Sequence, residues 1–248
     1  MPSHFSTIGM PVETPDDMTR ILEKAAENAR EIVVASGRYL NWASDEGAEL
    51  WLQIDNDDNL VGVTPYFRGK AVMRAALSTQ IARADDTPFE GAVHAWANPQ
   101  GDELESGDYP FVFDLADKAR YGALDFPFTS PVHLAAFAHE LNVYDSDAEH
   151  AAAQQDEPRF ASESFIPSGL FGADQPQPYA FFSGHVLDTG EPQNPLTGEF
   201  YRWIRVSTLG GEIDIVCDPQ LLQKPPVKTG VIQGSFWLCG RILQPKFK

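Results

Sequence analysis

The chain has 248 residues, a formal net charge of −18 at pH 7, and 43% hydrophobic residues, among them sixteen Phe, seven Tyr and five Trp. That apolar payload excludes a disordered acidic chain and places the acid on the surface of a folded protein, where it repels nucleic acid and anionic membrane. No segment approaches the roughly 18 uninterrupted apolar residues of a membrane helix, and the N-terminal stretch lacks a basic-then-apolar leader pattern, so a soluble cytoplasmic protein is expected.

The first expected elements are a strand over His4 to Val12 and a helix opening at Thr14. Thr14 has the chemistry of an N-cap, Pro15 suits the first helical position, and Asp16 and Asp17 complement the positive end of the helix dipole. Met18, Ile21, Leu22, Ala25 and Ala26 then recur at helical spacing. From Glu31 to Phe67 the pattern changes to three strand-like runs, with hairpin turns at Asp45-Glu46-Gly47 and Asp55 to Asn59. The resulting order is βαβββ.

Residues 70 to 115 are open to reading as a loose repeat of that unit, with a helix over Ala71 to Arg83 and strands over Gly91 to Ala97 and Tyr109 to Leu115. Aligning Gly47-Ala48 with Gly91-Ala92 brings Asp58 onto Asp102 and Leu60 onto Leu104. The segment after Ser130-Pro131 has the alanine content of a helix and the alternation of a strand, and the strand is preferred because a helix start follows at once, over about Asp147 to Gln155 with Ser146 and Glu149 at capping-box spacing. A loop-forming stretch at 165 to 178 then separates an α+β region, 1 to 164, from a nearly pure β unit, 179 to 248. Short strands and the Leu209-Gly210-Gly211-Glu212 turn suggest that this unit is a small antiparallel β-barrel or sandwich. Cys217 and Cys239 both fall in apolar strand-like runs, as core thiols do.

The acid is uneven. Positions 185 to 248 hold seven Lys or Arg against six Asp or Glu, a net +1, which leaves −19 for positions 1 to 184.

The βαβββ order, with His4 on the first strand and Glu49 on a later one, resembles a module of the vicinal oxygen chelate, or glyoxalase-like, superfamily. That resemblance implies a divalent metal held by inward side chains of the strands, for which His4, Glu49 and His94 are the candidates. The C-terminal segment is similar in pattern to an OB-like barrel, and phrases such as FIPSGLF and GSFWLCGRI resemble stretches of uncharacterised bacterial proteins.

Glu49, Trp51 and Gln53 share one face of a strand, with Leu50, Leu52 and Ile54 on the other. An acid, an indole and an amide together fit either the wall of a small-molecule pocket or a solvated face. Tyr201, Trp203 and Arg205 likewise share a strand face, fit either for stacking single-stranded nucleic acid or for the core. His133 and His139, six apart, meet one ion on neither a strand nor a helix. Phosphate loops, dinucleotide glycine fingerprints and nucleophile elbows do not occur. Three readings follow: a non-catalytic binding protein engaging a protein partner, a second copy of itself or a small molecule; a metal-dependent glyoxalase-like enzyme; and single-strand nucleic-acid binding by the C-terminal unit.

Overall fold

The computed structural model describes residues 3–101, 106–155, 159–171 and 175–248. Helix α1 (Pro15–Glu27) starts with a full capping box. The Thr14 side chain accepts from the Asp17 N–H, and the Asp17 carboxylate accepts from the Thr14 N–H. Ile21 and Ala25 form its buried stripe. Four antiparallel strands follow as a meander: β1 (Arg30–Val34), β2 (Gly37–Ala43), β3 (Ala48–Asp55) and β4 (Leu60–Phe67). The turns fall where the sequence places them, at 45–47 and 55–59. Helix α1 packs on β2 and β3.

The remaining strands make a second, mixed sheet: β5 (Met73–Ile81), β6 (Ala92–Ala97), β7 (Pro110–Leu115), β8 (Phe128–Tyr144), β9 (Ser164–Ile166), β10 (Tyr179–Gly190), β11 (Arg202–Thr208), β12 (Gly211–Cys217) and β13 (Val231–Ile242). Its centre is the long antiparallel pair β8–β13, in register from Val132–Ile242 to Tyr144–Val231. Two hydrogen-bonded circuits close on that pair, one through β5, β6 and β7 and the other through β12, β11 and β10. On β8, Val132, Leu134, Ala136 and Ala138 face the interior that both circuits enclose, while Ala135 and Phe137 face the meander. A bulge at His139 shifts this parity, so that Leu141 and Val143 continue the interior row. Helix α2 (Asp147–Ala153), capped by Ser146, follows β8. Among the described residues no helix is long and apolar enough to cross a membrane.

Several expectations are corrected. His4 to Val12 is not a strand: Ser6–Ile8 is a 3-10 turn, because the Ser6 and Thr7 hydroxyls donate to the carbonyls of Ser3 and His4 and Gly9 closes the turn at φ 73°. The run from Glu31 splits at Ala35-Ser36 into the hairpin β1–β2. The first unit is therefore αββββ, not βαβββ.

The helix expected over Ala71 to Arg83 is strand β5. It is paired on both edges, to β6 and β8, and its small Ala75 and Ala76 are fully buried, so sheet context overrides alanine's helical preference. A repeat of the first unit loses its helix, and Asp102 and Leu104 lie outside the described residues. The C-terminal strands do not stand apart as a small barrel. β12 pairs with β8, and β13 pairs with β8 and β7, so residues on both sides of the 165–178 stretch share one sheet.

Candidate functional site

Strand β3 is buried on both faces, which its alternating sequence does not announce. Leu50 and Leu52 share a buried cluster with Ile21 and Ala25 of α1, while Glu49, Trp51 and Gln53 turn toward the second sheet. Antiparallel register sets Arg30 and Ile32 of β1 opposite Asn41 and Tyr39 of β2, and Asn41 and Ala43 opposite Trp51 and Glu49. On the other side of β3, Tyr66 pairs with Glu49, and Arg68 follows two residues beyond the pleat.

This inner face ends in a cavity of about 460 Å³, walled by Arg30, Ile32, Asn41, Ala43, Glu49, Trp51 and Arg68 from the meander side and by Arg120 and Arg241 from across the seam. Four guanidinium groups thus surround one carboxylate, in a chain whose net charge is −18.

Glu49 is 2% exposed. It accepts the Trp51 indole N–H at 2.9 Å, with Arg68 Nε at 3.5 Å and Arg241 Nη1 at 3.9 Å. Burial pushes its carboxyl above the ordinary carboxylate range, opposed by Arg241, the Trp51 N–H and Arg68 in that order. Arg241 lies 5.1 Å from the centre of the Trp51 ring and bonds Asp117 at 2.9 Å. Arg120 reaches the same Asp117 oxygen at 2.8 Å. Burial lowers Arg241, but Asp117 and then Glu49 raise it above its ordinary value, so the guanidinium stays charged.

Two tyrosines set the positions of these arginines. The Tyr39 hydroxyl accepts the Ala119 N–H at 3.1 Å and donates to the Phe89 carbonyl, fixing the turn that carries Arg120. The Tyr121 hydroxyl accepts the Ile242 N–H at 3.0 Å, beside Arg241. Tyr66, wholly buried with Arg241 6.0 Å from its ring centre, has a hydroxyl that makes no hydrogen bond among the described residues. Gln53 lies deeper along the same face, bonded to Thr64 and Thr87. Gly62 makes room for it, since a Cβ there would collide with Gln53 Oε1.

No family model, curated protein or solved structure matches the chain. Of the residues singled out in the sequence, Glu49 and Trp51 line the cavity, and Gln53 lies beyond it on the same face, bonded to Thr64. The face formed by Tyr201, Trp203 and Arg205 divides. Tyr201 is fully buried and donates to the Glu46 carbonyl, whereas Trp203 is 9% exposed and donates its indole N–H to the buried Asp214 at 2.6 Å. Arg205 stands 3.7 Å from Glu212. These side chains do not form an open aromatic platform.

His4, Glu49 and His94 are not gathered. His4 stacks on Trp237 at 4.1 Å and hydrogen-bonds His139 Nε2 at 2.8 Å, away from the contacts of Glu49, and His94 stands on β6 opposite Thr79. Among the described residues no group of three or more His, Cys, Asp or Glu side chains comes together to hold a metal ion.

The arginines and Asp117 were not singled out in the sequence. One signal was available. Arg241 interrupts the apolar run Phe236-Trp237-Leu238-Cys239-Gly240 before Ile242, where a charge needs buried partners.

Proposed function

We propose that the protein is a binding protein for a small anionic molecule, held in the arginine pocket. The observation that carries this reading is the concave cluster of Arg30, Arg68, Arg120 and Arg241 around a cavity whose wall supplies one acid. Guanidinium groups recognise carboxylate, sulfate and phosphate through paired N–H donors, and a cavity with low-dielectric walls strengthens that attraction. Asp117 neutralises part of Arg120 and Arg241 from behind, which holds them in place while Arg30 and Arg68 remain exposed toward solvent.

Sulfate is a suitable probe because its charge does not change across the range in which protein carboxyls titrate. Calorimetric titration at low ionic strength is expected to give saturable one-site binding. Arg68 is 50% exposed and replaceable without emptying the core. Arg68→Ser removes a charge-assisted contact of about 1.5–3 kcal/mol, a loss of at least tenfold in affinity. Absence of saturable binding, or equal affinity in the folded variant, would overturn the assignment.

A further inference from the structure

A second concavity adjoins the arginine pocket. It is a cleft of about 830 Å³, lined by Phe67, Phe200 and Trp203 together with Arg68, Lys70, His133 and the 190–193 segment. The two share Arg68. Their walls are neighbours elsewhere too, since His133 of the cleft is the cross-strand partner of Arg241 of the pocket, and Asp45 of the cleft is two residues from Ala43 of the pocket.

The cleft has a different chemistry. Phe200 is 53% exposed on its wall. Trp203 is held by its N–H bond to Asp214, and Lys70 stands 4.6 Å from its ring centre. Gly190 lies across the ladder from Trp203, where a Cβ would rest against the ring at 3.4 Å. Asp45, Glu46 and Glu191 outnumber Arg68 and Lys70 along the lining, so a second anionic group is disfavoured there.

Resting on the anion-pocket reading, we infer that the ligand is an organic acid with one anionic end, seated among the arginines, and a flat apolar body laid in the cleft against Phe200 and Trp203. Arg68 stands at the junction and meets the acid group. Ring-bearing bodies suit this wall because aromatic side chains offer offset-stacked and edge contacts that a bare anion does not use.

The test compares 1-naphthylacetate with acetate and sulfate by calorimetry, in the full chain and in Phe200→Ser. The exposed position of Phe200 keeps the core intact, and an unchanged thermal midpoint checks this. Naphthylacetate is expected to bind at least about tenfold more tightly than acetate, and Phe200→Ser to reduce that advantage at least about threefold. Sulfate binding with naphthylacetate no tighter than acetate overturns this inference and leaves the arginine pocket standing. An unchanged advantage in Phe200→Ser also overturns it. Failure of all three anions to bind overturns the pocket reading, and this inference with it.

Discussion

Glu49 places a carboxylate in the wall of the proposed anion pocket, so replacing it with Gln is expected to strengthen anion binding. In Glu49→Gln the amide oxygen still offers the Trp51 N–H an acceptor, and Arg241 keeps its bond to Asp117. An oxyanion bonded to Arg68 and Arg241 from the cavity side lies about 6 Å from the Glu49 carboxylate, given ordinary hydrogen-bond lengths. With Arg68 half exposed, an effective dielectric of about 40 gives a repulsion of about 1.4 kcal/mol per unit of ligand charge. Glu49→Gln should therefore tighten sulfate binding at least tenfold.

The sign of the pH effect follows from burial, which raises the Glu49 carboxyl. Its contribution to stability is present below the ordinary carboxylate pKa and is lost as pH rises through the higher folded value. Anion affinity follows the same course, falling in the wild type as Glu49 ionises and remaining flat across that range in the variant. Calorimetric titrations of both proteins at a series of pH values measure this directly. A folded Glu49→Gln protein that binds sulfate no better than wild type would refute the reasoning.

Asp214→Ala strands two buried donors, the Trp203 indole and the Ala71 N–H at 2.6 Å, and should cost about 3–5 kcal/mol in urea unfolding. Gly69→Ala would drive a Cβ into Asp214 Oδ2. Combining it with Asp214→Ala should cost less than the sum of the two, a coupling read from the unfolding midpoints. His4 has its pKa lowered to about 4 by burial and by the facing His139. Its folded pKa lies below the unfolded value of 6.5, so its contribution is complete above that value and falls away as pH drops toward 4. Discounted for partial exposure, this amounts to about 1–2 kcal/mol, and His4→Phe should flatten that part of the profile of thermal midpoint against pH. Burial pushes the Cys217 thiol up to about 12 and holds the Cys239 thiol well above its ordinary value. Both should resist a thiol reagent in the folded protein and titrate as two equivalents in denaturant.

Local chemistry was legible in the sequence wherever one segment settles its own structure. The Thr14 cap and the turns at 45–47, 55–59 and 209–210 all depend on neighbours a few residues away. The segment around His4 and strand β5 failed for opposite reasons. In the first, short hydroxyl side chains bend the backbone into a turn that an apolar pattern does not reveal. In the second, two partner strands distant in the chain impose extended geometry on an alanine-rich stretch.

The candidate site was half legible. Glu49, Trp51 and Gln53 share a face by strand periodicity alone, but the arginines that give the cavity its charge come from β1, β13, the end of β4 and the turn after β7. Only the folded chain brings those segments together. The separation of charge between the two parts of the chain was correct as arithmetic, yet it concealed a basic site inside the acidic part. Three of the four arginines belong to the stretch carrying −19.

Among the described residues the two sheets share no strand ladder. Their junction near the pocket depends on side chains, with Arg30 and Arg68 on one bank and Arg120 and Arg241 on the other. An anion lodged between them acts as a rivet, adding contacts on both banks beside the Glu49–Arg241 approach that already links them. Occupancy then raises the melting temperature with ligand concentration, and slows amide exchange most along this junction rather than in the β8–β13 ribbon.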